Sequence, residues 1–230
     1  MTEGPHSGTE VVILGSGGTG LDALEVIEAL NASGARYECL GFLDDDNRRW
    51  GSDVSGMRIL GPLELAREMP GAKFVHAIGS PRNFRVRYAI AERLQLAAER
   101  FETLVHPSAV VSPRCQLGRG VIVCANVFVG PRSRVGDGVT ILANAAINHD
   151  SELGDWTLVA SGANVAGGVR VEAACYLGAG VILKEGIRVG TGALVGMGAV
   201  VIRDVPAQSV VAGNPAHKIH APADISRVPP

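Results

Sequence analysis

Cysteine is scarce and scattered: Cys39, Cys115, Cys124 and Cys175 are the only four among 230 residues, and no two form a C-x-x-C pair. Structural zinc needs clustered ligands, so no metal is expected, and reduced, packed thiols fit a cytoplasmic protein. No stretch of 18 apolar residues runs without polar or charged interruption, which argues against a membrane-spanning helix and a membrane partner. The opening MTEGPHSGTE has no basic start ahead of an apolar segment and does not read as a signal peptide. An excess of charge is missing too: 21 Lys and Arg stand against 23 Asp and Glu, a formal −2, which gives no reason to expect nucleic acid. Aromatics make up only 4%, whereas glycine is plentiful at 30 residues and apolar residues reach 47%, enough for one domain or two modest ones.

Two grammars divide the chain. Residues 1–9 read as a flexible leader and 10–103 as a βαβ domain. In the latter, EVVILG is a strand, and Leu21, Leu24, Ile27 and Leu30 fall at helical spacing. YECLGFLDDD reads as a second strand, GPLELAREM as a short helix, KFVHAIGS as a third strand and FRVRYAIAERLQLAA as a third helix. Three such units predict a small parallel α/β sheet.

Residues 104–206 follow another rule. From Val105 to Val201, 17 consecutive aliphatics lie six residues apart, through Val129, Ile147, Val165 and Leu183. A second set of small or branched residues falls four positions after each, among them Val121, Ala145, Ser151, Ala163, Cys175 and Ala199. A period of six is neither the 3.6 of a helix nor the alternation of independent strands. It predicts a coil of three short flat faces, about 18 residues per turn, stacking its inward aliphatics into one narrow core. Residues 207–230 are the exit segment and a proline-rich tail expected to fray.

This repeat, closed by VVAGNPAHKI at 210–219, resembles the left-handed parallel β-helix of hexapeptide-repeat acyltransferases. Joined to an amino-terminal G-S-G-G-T-G domain, it resembles the sugar acetyltransferases that modify sialic acid or nucleotide-activated 4-amino-4,6-dideoxy sugars. The resemblance implies the handedness, acetyl-CoA as acetyl donor, a nucleotide-linked amino sugar as partner, and a homotrimer with active sites at subunit seams.

Gly15-Ser16-Gly17-Gly18-Thr19-Gly20 follows a strand and opens a helix, so its amides can face an anion. A dinucleotide site is one reading, but the domain is shorter than the two halves of a full dinucleotide fold; a turn that only packs helix on sheet is another. The acidic run Asp44-Asp45-Asp46 sits near the usual ribose-binding offset. In the resembling family this half-sized domain holds the nucleotide, which assigns Gly17, Gly18, Thr19, Gly20, Asp44, Asp45, Gly79 and Ser80 to that role, with Arg82 and Arg85 as further candidates for the diphosphate.

Of six histidines, His6 falls in the leader, His106 at the entry to the repeats, and His217 and His220 at the exit, none with metal spacing; His76 reads as a strand residue. His149 stands two positions after inward Ile147, so the coil directs it outward. By itself that is compatible with a plain surface histidine. The family resemblance makes His149 the general base and Asp150 the acid that orients it. An amine attacking a thioester must lose a proton, and a neutral imidazole can take it.

Coil arithmetic independently places Gly167, 18 residues on, over His149, where a backbone amide can donate to a developing oxyanion. The resemblance assigns Gly167 the same role, and extends the acetyl-CoA track to Gly168, Ala179, Gly180 and Lys184. One position departs from the pattern. Nine residues after the histidine, relatives commonly carry a second histidine, and here Leu158 stands instead. O-acetylation of sialic acid or another sugar, and a non-catalytic sugar-nucleotide-binding scaffold, remain the competing expectations.

Overall fold

The computed structural model describes residues 8–219, so His6 and His220 lie outside the described residues. The amino-terminal domain comprises strand β1 (Thr9–Leu14), helix α1 (Gly18–Ala32), strands β2 (Tyr37–Leu43), β3 (Asp53–Val54), β4 (Met57–Gly61) and β5 (Lys73–His76), and helix α2 (Arg87–Leu94). Its sheet runs β3-β4-β2-β1-β5, parallel except for the β3–β4 hairpin. The run VVIL of β1 is fully buried on both faces, as a central parallel strand should be.

Three expectations are corrected here. The β3–β4 hairpin turns at Ser55-Gly56, both at positive φ, in a stretch that carried no strand assignment. Leu63–Glu68, following Pro62, is a run of 3-10 turns rather than an α-helix. The third helix is shorter than FRVRYAIAERLQLAA: a 3-10 turn at Phe84–Val86 precedes α2, which ends where Gln95 turns left-handed.

From Leu104 the chain winds into a three-sided parallel β-helix. Its two-residue strands stack with an 18-residue register, such as Phe128 on Ala146, Arg134 on Glu152 and Thr140 on Leu158. The inward column from Val123 to Val201 is buried throughout, while Val105, Val111 and Leu117 at the first coil are only partly covered. Each fully buried Val or Leu contributes ~1.5–3 kcal/mol relative to exposure, so the narrow core is well supported even without aromatics. Where the second inward set is polar, its hydroxyls are satisfied: Ser133 and Ser151 donate to the Asn148 and Ala166 carbonyls, both at 2.9 Å. Val210–Gly213 joins the stack, and Ala216–Ile219 closes it with an antiparallel strand.

The three outward rows have different fates. Leu104, Ile122, Thr140, Leu158, Tyr176, Leu194 and Val210 form a seam face turned toward the amino-terminal domain: Leu104 and Ile122 share a cluster with α1, and Leu194 and Tyr176 pack on Phe84. Arg134, Glu152, Arg170 and Arg188 form a charged face laced by ion pairs such as Arg170–Glu152 at 3.0 Å. The third row, apolar apart from Asn164, leaves Val110, Phe128 and Ile182 62%, 40% and 48% exposed. Among the described residues no helix is long and apolar enough to cross a membrane.

Candidate active site

His149 and Asp150 are the two residues of one β-helix corner, between the strands Ala146–Ile147 and Glu152–Leu153. The corner needs one residue in the left-handed region; Asp150 takes it at φ 61°, as Arg132 and Gly168 do one coil below and above. Aspartate tolerates this conformation better than most side chains. This geometry turns the carboxylate back onto its neighbour. Asp150 Oδ2 lies 2.7 Å from His149 Nδ1, and Arg132 grips both carboxylate oxygens, Nε to Oδ1 and Nη2 to Oδ2, at 2.6 Å each. Hydrogen bonds from Arg132, then His149, hold the Asp150 carboxyl well below its ordinary range, so it is a permanent anion at the ring.

Gly167 sits directly over the imidazole. A Cβ placed on it would stand 2.6 Å from His149 Cε1 and 2.8 Å from Nε2, so only glycine leaves the ring its position. The Gly168 N–H donates to the His149 carbonyl at 2.9 Å and the Gly167 carbonyl accepts from Gly186, whereas the Gly167 N–H has no partner among the described residues. Lys184 and Gly168 share this edge. Ala179 and Gly180 occupy the opposite edge of the exposed apolar face, with open space over Gly180.

The second component is a cavity of 380 Å³ in the amino-terminal domain, walled by Gly15, Gly17, Gly18, Thr19, Asp44, Asp45, Gly79 and Ser80. Gly17 and Gly18 open into it, since a Cβ on either would meet nothing within 4 Å, and they begin α1, whose free amides favour an anion. Asp44 is fixed: its Oδ2 accepts from the Ser16 amide at 3.0 Å and from the Ser16 hydroxyl, and its Oδ1 from the Asp46 amide. Burial pushes its carboxyl up, but these bonds and Arg49 outweigh burial and bring it below its usual range. Asp45 is engaged structurally, accepting from the Leu63 amide and from Arg93.

Not every assigned residue reaches the cavity. Gly20 is buried, and a side chain there would collide with the Gly15 carbonyl, so it packs helix on strand. Arg82 is exposed and not part of the lining, its amide donating to Ser80 Oγ at 3.2 Å, and Arg85 reaches across the seam to the Gly192 carbonyl at 3.0 Å. Arg49, which sequence reasoning passed over, lines the cavity instead and donates to the Ser16 carbonyl at 2.9 Å. Its signal was a basic pair directly behind the acidic end of β2. Leu158 is 2% exposed and presses on Gly79, so the position of the relatives' second histidine lies here in the domain seam. A larger concavity, 650 Å³, follows the charged face and contains neither His149 nor the cradle.

A parallel β-helix bearing a corner His–Asp pair is joined here to a small α/β domain whose glycine-rich loop walls a cavity. Residues 10–94 match the PglD N-terminal domain family, and residues 100–207 match the family described as the GMPPB C-terminal domain. The GDP-perosamine N-acetyltransferase of Caulobacter crescentus, solved with CoA and GDP-perosamine, is 32% identical over 92% of this chain and 97% of its own, with a TM-score of 0.77. The acetyltransferase domain of PglB from Neisseria gonorrhoeae, solved with acetyl coenzyme A, is 29% identical over 92% of this chain and all of that one, with a TM-score of 0.80. The UDP-N-acetylbacillosamine N-acetyltransferase of Bacillus subtilis is 36% identical over 119 residues, a match that spans about half the length of that curated relative. The chain belongs to the hexapeptide-repeat sugar N-acetyltransferase family, and its β-helix is left-handed.

Proposed function

We propose that this protein is an acetyl-CoA-dependent N-acetyltransferase acting on the amine of a nucleotide-linked 4-amino-4,6-dideoxy sugar in the cytoplasm. The observation that carries the reading is the corner itself: an imidazole backed by an anion on Nδ1, its Nε2 beneath a glycine amide with no partner among the described residues, in the same chain as a nucleotide-sized cradle.

The cradle's Gly17–Gly18 amides and Arg49 suit a diphosphate, and Asp44, held ionised, suits a ribose or base-edge donor. Nε2 of His149 accepts the proton that the sugar nitrogen must shed as it bonds to the acyl carbon and becomes cationic, and Asp150 stabilises the imidazolium that results. Acetyl-CoA supplies the acetyl group as a thioester. The Gly167 N–H is the donor available to the oxygen that gains charge on attack, and Gly168 on the His149 edge and Gly180 on the opposite edge leave both borders of the exposed face bare for close approach of an extended ligand. Attack is direct, without an acyl-enzyme: the C–N bond forms, the tetrahedral intermediate collapses with cleavage of the C–S bond, and coenzyme A leaves as the thiolate, which the His149 imidazolium can protonate. Cys124 and Cys175 are buried, and burial pushes their thiols up, to about 12 and about 11, the opposite of an activated nucleophile. The exposed row Val110, Phe128 and Ile182 beside this corner supports a homotrimer in which a second copy covers it.

The test is incubation with acetyl-CoA and a panel of UDP-, GDP- and dTDP-linked 4-amino-6-deoxy sugars plus free sialic acid, following thiol release and product mass. Gain of one acetyl on a nucleotide amino sugar, abolished in a folded His149→Ala variant, is the expected result. Product from the free sugar alone would replace the reading with O-acetylation, and equal turnover in the variant would remove His149 from the chemistry.

A further inference from the structure

Arg87, in the first turn of α2, has no exposed surface at all, yet no carboxylate among the described residues pairs with it. Its guanidinium spans the two domains. Nη1 donates to the Ile78 carbonyl at 2.8 Å, while Nη2 donates to the Gly138 carbonyl at 2.6 Å and to Thr140 Oγ1 at 2.9 Å.

The two ends of this bridge are not equivalent pieces of scaffold. Ile78 and Gly79 are part of the wall of the nucleotide cavity. Gly138 and Thr140 belong to the coil that reaches the His149 corner one face later. The fit is close: a Cβ on Gly79 would stand 2.7 Å from Arg87 Nη1 and 2.5 Å from Leu158 Cδ1, so the cradle's turn is pressed onto the β-helix with no side chain between. His76 lies in the same seam, 1% exposed, its ring edge-on to Trp156 at 5.2 Å between centroids.

We infer that Arg87 is a positioning residue for acetyl transfer: by tying the Ile78–Gly79 turn to the Gly138–Thr140 coil, it fixes the offset between a cradled sugar nucleotide and the β-helix that carries the base. The inference rests on the proposed function for its consequence and on the hydrogen bonds alone for the latch. An ordinary buried arginine would be neutralised by a carboxylate. Three carbonyl and hydroxyl acceptors instead give direction without a second charge, and a planar fork reaches all three where an ammonium cannot. Registration of this kind matters because a misplacement of about 1 Å far from the chemistry costs on the order of 10²-fold in rate. It holds whichever copy in an assembly supplies the imidazole, since every β-helix is locked to its own cradle in the same way.

The experiment compares full-length native protein, Arg87→Met and Arg87→Lys by amide hydrogen exchange, by calorimetric binding of UDP and GDP, and by steady-state kinetics on the nucleotide amino sugar that the native protein uses. For Arg87→Met the expected result is exchange raised about 10-fold or more in residues 77–80 and 137–141, nucleotide Kd within about 3-fold, and kcat down by about 10- to 100-fold, with partial recovery in Arg87→Lys. Unchanged exchange in a folded variant overturns the latch, and retained kcat overturns the positioning role. A nucleotide Kd that worsens in step with kcat also overturns it, because Arg87 would then only be supporting the cradle. If Arg87→Met fails to fold, Thr140→Val, which removes one acceptor, is read by the same criteria. Absence of turnover by the native protein would sink the proposed function, while exchange still decides the latch.

Discussion

Gly167 roofs His149: the glycine α-carbon lies so near the imidazole that a methyl group there would meet both Cε1 and Nε2. Its backbone is not in the left-handed region, so alanine is conformationally allowed and its effect isolates the space above the ring. Gly167→Ala is expected to lower kcat/KM on the order of 10²-fold by displacing the base from beside the amide donor, with little change in Tm. Steady-state kinetics beside a thermal melt separate the two, and an alanine variant with native kcat/KM would remove the roof from the mechanism.

Asp150 is held between Arg132 and His149, and its two partners can be removed one at a time. Asp150→Asn keeps the shape but loses the anion that orients the ring, and a fall in kcat of about 10²–10⁴-fold is expected. Arg132→Ala leaves the His149–Asp150 contact, and a smaller loss, about 10-fold or less, is expected. The native carboxyl lies well below its ordinary value of 3.8, and loss of Arg132 returns it only toward that value, so Asp150 stays ionised throughout pH 4.5–8 in both proteins. The Arg132→Ala rate profile over that range is therefore expected to keep the native shape and fall by a constant factor. An acid limb displaced within pH 4.5–8 would mean that Arg132 does more than hold the carboxylate.

The glycine-rich loop divides into glycines that face the cavity and one that does not. Gly18→Ala puts a methyl into open space at the start of α1, so stability is maintained while the diphosphate's approach is obstructed. A weakening of nucleotide binding by about 10-fold or more at unchanged Tm is expected, because the close approach of phosphate to amides is what glycine permits. Gly20→Ala drives a methyl into the Gly15 carbonyl and is expected to destabilise the domain by about 1–3 kcal/mol. Calorimetric titration with UDP and GDP, with melts of both variants, distinguishes them.

The β-helix was legible because its signal is redundant: one missing aliphatic would not have hidden a column running from Val105 to Val201. The same arithmetic put Gly167 over His149, since stacking at 18 residues is a property of the chain alone. What was hidden depends on the second domain. Leu158 points away from the coil's core in any single-coil reading, and only the covering Gly79 turn buries it. Arg87 occurs in a pattern that reads as a solvated helix face, and nothing local marks it as the bridge to Gly138. The β3–β4 hairpin escaped because a two-residue strand carries no periodicity.

His76 offers a pH test of the seam. Burial, and then the neighbouring Arg87 charge, push its ring down to about 3 from 6.5, so the folded protein holds it neutral. Between those values the unfolded chain binds a proton that the native state refuses. Stability from this residue is therefore complete above about 6.5 and declines as pH falls toward about 3, by at most ~1.4 kcal/mol per pH unit. His76→Phe keeps an aromatic ring against Trp156 and removes the titration. Between pH 7.5 and 5 the native protein is expected to lose about 2 kcal/mol more than the variant, read from urea midpoints at the two pH values. Equal losses would mean that His76 takes up its proton in the folded state, and the seam would then have to open to solvent at the very point where Arg87 crosses it.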